Sequence, residues 1–239
     1  MRRRTLLASA GLALACPRLG RAAAQDAVDM LLVLAVDVSR SVDAEEARLQ
    51  RTGYIAAFRD PEVVQAITGG MLGAIAVAFL EWSGTEQQTL LIPWRRLAGE
   101  GDATALASAL DEAPMTPGTW TSISAAIDYS QRLIAAAPFA GTRSVVDVSG
   151  DGANNSGPTA EEARDRAVAA GITVNGLPIM TDPPNGVMRE GLPLDAYYRQ
   201  SVIGGPGAFM LPATGFEDFA RAIRRKLVLE IAGLAPGQA

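Results

Sequence analysis

Histidine is absent from this 239-residue chain, and cysteine occurs once, as Cys16. The first absence excludes serine–histidine and cysteine–histidine catalytic pairs and any histidine-bound zinc. The second excludes an internal disulfide and a cysteine-ligated metal centre. No lysine stands near the polar motifs described below, so the other common nitrogen base is missing there as well. What remains is rich in carboxylates and hydroxyls on an apolar background. Hydrophobic residues make up 49% of the chain, enough for a sizeable core and too many for a disordered segment.

The first two dozen residues differ from the rest. Arg2, Arg3 and Arg4 precede an apolar run from Thr5 to Ala15. That run is too short to span a bilayer, which takes roughly 20 residues, and suits a signal-peptide core. Ala22-Ala23-Ala24 offers a small-x-small cleavage site, which would leave Gln25 at the new N-terminus. Arg3-Arg4-Thr5-Leu6-Leu7 also resembles a loose twin-arginine signal. Acylation of Cys16 would need a lipobox, and Ala13-Leu14-Ala15 is a poor one. Residues 1–24 are therefore read as an export signal and 25–239 as a single domain, periplasmic or secreted. The signal holds five of the 21 basic residues and no acid, so 16 basic and 26 acidic residues remain, a net charge of about −10. Such a charge disfavours nucleic acid and anionic membranes as partners.

From Val28 onward apolar runs alternate with amphipathic segments. Met30–Val36 is uninterrupted, as expected of a strand covered on both faces. Asp43 and Glu46 have capping-box spacing ahead of a helix, which Asp60-Pro61 ends. Met71–Leu80 reads as a second buried strand, with Thr89–Trp94 paired to it in antiparallel. A short helix spans Asp102–Leu110, and a longer one begins near Thr121. Arg143–Ser149 and Ile172–Ile179 read as strands, separated by a helix capped by Thr159 and Glu162. The irregular stretch Thr181–Pro193 is long for a loop without function and is expected to help select a partner. A helix over Leu194–Val202, a strand over Ala208–Leu211 and a last helix opened by a Thr214/Glu217 capping box complete the pattern. This order predicts a doubly wound, mostly parallel α/β sheet with helices on both faces and one antiparallel edge strand.

In such sheets ligands bind beyond the carboxyl ends of the strands, where strand order reverses. Three polar elements fall there: Asp37-Val38-Ser39-Arg40-Ser41 after the first long strand, Thr121 at a helix start, and Ser149-Gly150-Asp151-Gly152 after the fourth. Two carboxylates and three hydroxyls are oxygen donors suited to a hard cation such as Mg2+, which is usually held by one or two carboxylates and keeps several waters. Alternate spacing in the first element would bring Asp37, Ser39 and Ser41 to one side. Asp147, of the same parity as Asp151, Glu81 at a strand end, and Asn154 of the Asn154-Asn155 pair are candidates to support that site. An ion pair or backbone amides would serve Asp147 as well. Trp82, Trp94 and Trp120 fit either core packing or a binding surface.

Over roughly residues 28–232 the sequence resembles the von Willebrand factor type A family with its metal-ion-dependent adhesion site, and its pattern is close to that of uncharacterised secreted bacterial proteins carrying this domain. Asp37, Ser39 and Ser41 match the D-x-S-x-S element, Asp151 the aspartate of the T-D-G turn, and Thr121 the threonine ahead of Ala126-Ile127. The resemblance implies that Ser39, Ser41 and Thr121 touch Mg2+ or Mn2+ directly, while Asp37 and Asp151 act largely through water. It implies a protein-binding module whose partner supplies an acidic side chain. Two departures stand out: Ser149-Gly150 precedes Asp151 in place of a threonine, and Gly118-Thr119-Trp120 precedes Thr121, which makes Thr119 a rival ligand. Other functions fit the same site: a magnesium-dependent hydrolase with a carboxylate base, or a structural subunit whose metal only stabilises the fold.

Overall fold

The computed structural model describes residues 25–181, 191–234 and 236. Residues 1–24, read above as an export signal, and most of the Thr181–Pro193 stretch thus lie outside the described residues. In chain order the elements are β1 (Asp26–Val28), β2 (Met30–Asp37), α1 (Ala44–Phe58), α2 (Pro61–Thr68), β3 (Ile75–Trp82), β4 (Gln88–Leu97), α3 (Glu100–Glu112) and α4 (Ile123–Ala135). There follow β5 (Phe139–Gly141), β6 (Ser144–Gly150), α5 (Ala160–Ala169), β7 (Ile172–Pro178), α6 (Leu194–Tyr197), a π-helical turn (Tyr198–Val202) and α7 (Phe219–Ala232).

The main sheet has the order β4-β3-β2-β6-β7. All of its pairs are parallel except β3 with β4, at the edge. Every residue of β2 and β3 is buried, which explains why both read as continuous apolar runs. Met30, Leu32, Leu34 and Val36 of β2 face a core shared with α1, α2, α3 and α7. Val33 and Ala35 face the other, shared with α4, α5, α6 and the π turn. Each fully buried Leu, Ile, Val or Phe in these layers stabilises the fold by about 1.5–3 kcal/mol relative to exposure. From β2 the chain moves to β3 on one side and later to β6 and β7 on the other. The crevice above β2 and β6 is therefore the switch point.

The capping boxes at Asp43/Glu46 and Thr159/Glu162 are both present. Elsewhere the structure differs from the sequence reading. Asp60-Pro61 ends α1 and also starts α2, with Asp60 as N-cap and Pro61 in the first turn, where its missing N–H costs nothing. Met71 is 97% exposed and precedes the strand, which starts at Ile75. Ala208–Leu211 makes only an isolated bridge, Met210 with Gly176. The N-cap of α7 is Asp218, whose Oδ2 accepts from the Thr214 amide and hydroxyl, each at 3.0 Å. Thr214 thus donates where a capping box would have it accept. A two-stranded parallel sheet, β1 with β5, lies outside the expectation altogether.

Candidate metal centre

β2 ends at Asp37, which is fully buried. Its Oδ1 accepts from the Ser39 amide at 2.7 Å, turning the chain at once after the strand. Gln50 of α1 holds the Asp37 carbonyl at 3.1 Å. The Ser39 and Ser41 hydroxyls lie 3.2 Å apart. Ser41 donates to Asp151 Oδ1 at 2.7 Å, and Thr121 donates to the Ser39 hydroxyl at 3.2 Å. A turn, not an extended segment, brings Asp37, Ser39 and Ser41 together, and all five residues of the sequence-derived set meet at the switch point.

Two oxygens in this cluster have no hydrogen-bond partner: Asp37 Oδ2 and Asp151 Oδ2, both buried. Burial, with the nearby charge of Asp151, pushes the Asp37 carboxyl well above its ordinary range. Burial raises Asp151 as well, against the hydrogen bond from Ser41. Two buried carboxylates within reach of each other's charge are costly unless a positive charge compensates them. Orphaned carboxylate oxygens beside three hydroxyls form a donor set that fits a hard divalent cation. Among the described residues no group of three or more acidic or cysteine side chains converges, so the hydroxyls are needed to complete any coordination.

The loops that carry these residues are cross-braced. Thr121 N–H donates to Asn155 Oδ1 at 3.0 Å, and Asn155 N–H returns a bond to the Thr121 carbonyl at 2.9 Å. Asn154 Oδ1 accepts from the Ser124 amide at 3.1 Å, while its Nδ2 donates to the Pro158 carbonyl at 2.9 Å. Asn154 and Asn155 together fix the Asp151 turn to the start of α4. Gly118 donates to the Val38 carbonyl at 2.7 Å. A Cβ at 118 would lie 2.1 Å from the Ser83 side chain, so only glycine permits this approach. The chain then turns Thr119 outward, where its hydroxyl reaches Gln87 at 3.4 Å, and Thr121 inward to 4% exposure.

Glu81 and Asp147 do not reach the site. Glu81 pairs with Arg51 of α1, which also donates to the carbonyls of Ala113 at 2.6 Å and Pro114 at 3.2 Å. Asp147 pairs with Lys226 of α7. Trp82 is core, and Trp94 anchors to the Leu133 carbonyl at 3.2 Å. Trp120 stands 60% exposed beside Thr121.

Tyr198, which sequence reasoning missed, is fully buried with an unpartnered hydroxyl. A Cβ at Gly150 would lie 2.8 Å from Asp37 Oδ2 and 3.1 Å from the Tyr198 hydroxyl. Gly150→Ala is therefore expected to displace the Asp37 carboxylate and weaken the affinity of this cluster for a divalent cation by about 10- to 100-fold. Calorimetry checks this, and an unchanged affinity would detach Asp37 from the ion.

Residues 27–235 match the model of a family described as a protein of unknown function, DUF1194. No curated protein sequence matches the chain. Among solved structures it is similar to mussel byssus proximal thread matrix protein 1 with a zinc-occupied MIDAS motif (TM-score 0.58, 13% identity, 87% of this chain and 47% of that one). It is similar to a von Willebrand factor type A protein from Catenulispora acidiphila (TM-score 0.60, 13% identity, 85% and 43%). The conserved hypothetical protein BatB of Bacteroides thetaiotaomicron is also similar (TM-score 0.54, 18% identity, 85% and 99%). The chain spans less than half of the mussel and Catenulispora chains. At these identities the likeness establishes the fold, that of a von Willebrand factor type A domain.

Proposed function

Because the chain belongs to the DUF1194 family, whose description assigns no activity, we propose from the site itself that it is an exported protein-binding module that works through a divalent metal. The observation that carries this reading is the pair of buried, partnerless carboxylate oxygens on Asp37 and Asp151 among the hydroxyls of Ser39, Ser41 and Thr121. The three hydroxyls would hold Mg2+ or Mn2+ directly and the two aspartates largely through water. Bound there, the ion supplies an electrophilic position for a carboxylate of a protein partner. Exposed Arg40 and Trp120 stand at the rim, a cation and an aromatic surface beside that position.

No nitrogen base stands at this site, so an enzyme would have to use a carboxylate as its base. The chain has no histidine, and its single lysine is buried against Asp147 on the opposite face of the sheet. No described helix is long and apolar enough to cross a membrane. Export is part of the proposal: the mature N-terminus is expected at Gln25, as read by mass spectrometry of the secreted form.

Two measurements test the function. In calorimetry Thr121→Ala should lose most of the metal affinity, Asp37→Ala all that is measurable, and Thr119→Ala little. In a pull-down from periplasmic extract, partner capture should need the metal, stop with chelator, and fall when one acidic partner residue becomes its amide. Capture that survives chelator would overturn the reading. Magnesium-dependent phosphoester or peptide hydrolysis, lost in Asp37→Ala, would replace it with an enzyme.

A further inference from the structure

The 21 basic residues include one lysine, Lys226. It lies on α7 with its ammonium 0% exposed, beneath the central sheet. Nζ is 2.6 Å from Asp147 Oδ1 and 3.1 Å from Glu230 Oε1, one turn further along the helix. Glu230 Oε1 also accepts from Asn175 Nδ2 at 2.5 Å. Asn175 stands directly beside Asp147 in the register of β6 and β7. The Phe209 ring closes the cluster, with its centroid 5.2 Å from Nζ.

This is a poor arrangement for a lasting ion pair. A buried pair needs its remaining lone pairs satisfied. Yet neither oxygen of Asp147 has a hydrogen-bond partner, despite the 2.6 Å approach of Nζ. The amine nitrogen thus lies against the carboxyl group without completing a hydrogen bond to it. Two acids also face one base. Burial, and then the charge of Asp147, raise Glu230 to about 7 against the opposing pull of Lys226. Glu230 can thus both take and return a proton near neutral pH. Arginine, used at every other basic position, cannot lose its proton in a protein; lysine can, and becomes a nucleophile.

We propose that Lys226 and Asp147 join in an intramolecular amide bond, with Glu230 moving the proton. Proton transfer within the pair gives a neutral amine and a neutral acid. The Nζ lone pair then forms a bond to Asp147 Cγ, and Glu230 accepts the proton that nitrogen sheds. Glu230 returns it to the departing hydroxyl, the Cγ–O bond breaks with its electron pair, and one water leaves. No oxidant, cofactor or outside group is consumed. A cavity of about 330 Å3, lined by Glu230, Asn175, Phe209 and Arg143 among others, adjoins the cluster and can receive the water. The product would fasten the last helix to the middle of the sheet in a chain that has no cysteine pair to do so.

Denaturing mass spectrometry of the full-length protein, followed by tryptic mapping, decides this. The peptide from Ser144 to Arg164 should appear joined to the one beginning at Lys226, with a mass one water below their sum. Mapping matters because cyclisation of Gln25 in the mature form also changes the intact mass. Glu230→Gln, which keeps size and polarity, should yield the two peptides unjoined from protein with an unchanged circular dichroism spectrum. Free peptides from the unsubstituted protein would overturn the proposal. So would a link from Lys226 to Asn175, recognised by loss of ammonia in place of water.

Discussion

Magnesium or manganese at about one hundred times its dissociation constant should raise the free energy of unfolding by about 2.7 kcal/mol, and Asp37→Asn should abolish that gain. The same substitution should make the metal-free protein more stable, by about 1 kcal/mol. Both effects share one cause. Asp37 and Asp151 are buried in one cluster, each with an oxygen that has no hydrogen-bond partner. Without a cation this is a cost of the fold. The amide keeps the bond that Asp37 Oδ1 accepts from the Ser39 amide and removes one of the two charges. Thermal unfolding of both proteins, with metal and with chelator, gives four values. A metal-free Asp37→Asn less stable than its parent would show that the carboxylate is comfortable without an ion, and the site would lose its rationale.

Glu81→Ala is expected to cost about 3–5 kcal/mol, the range for breaking a buried ion pair from one side. Arg51 and Glu81 are 8% and 4% exposed, so the orphaned guanidinium has little water to turn to. Replacing both by apolar residues of similar volume should recover most of the loss, since the charges repay little more than their own desolvation. A second consequence is specific to this protein. Arg51 also holds the carbonyls of Ala113 and Pro114, at the start of the loop that leads to Gly118 and Thr121. The double variant should therefore regain stability and still bind metal more weakly. Urea unfolding and metal calorimetry on the three proteins separate the two roles. A Glu81→Ala loss below about 1 kcal/mol, typical of exposed pairs, would show that the pair is hydrated.

The candidate site was legible because its members stand where apolar runs stop. Asp37 closes an eight-residue buried strand, and Asp151 follows one of seven. Thr121 was legible as a residue at a helix start, with Thr119 as its rival; the reason Thr121 turns inward and Thr119 outward, the collision of any Cβ at 118 with Ser83, is tertiary. Asn154 was readable as a turn residue, and its bonds to α4 make it a brace. Glu81 and Asp147 were read as candidates to support the site, with an ion pair as the alternative for Asp147 alone. Alternation within a strand says which face a side chain takes and nothing about which helix covers that face. Arg51 and Lys226 come from helices 30 and 79 positions away. Tyr198 was illegible for a related reason: it reaches Gly150 from a π turn, whose register no 3.6-residue pattern predicts. Ala208–Leu211 has the composition of a strand, but the isolated bridge at Met210 is all it adds to the sheet.

Both ends of the described chain lie at the foot of the sheet, away from the Asp37 and Asp151 cluster. Gln25 bonds to the Ala137 carbonyl at 3.0 Å, and Asp26 pairs with Phe139. At the other terminus Gly233 and Leu234 border Thr142 and Ser144, where β6 begins. A tether at either end, whether an affinity tag, a sensor surface or a bead in a pulling experiment, leaves the crevice above β2 and β6 pointing outward. Immobilised by its termini, the molecule would present Trp120, 60% exposed, and the crevice beside it to solution, and a load applied between that crevice and the tether would run lengthwise along the parallel strands.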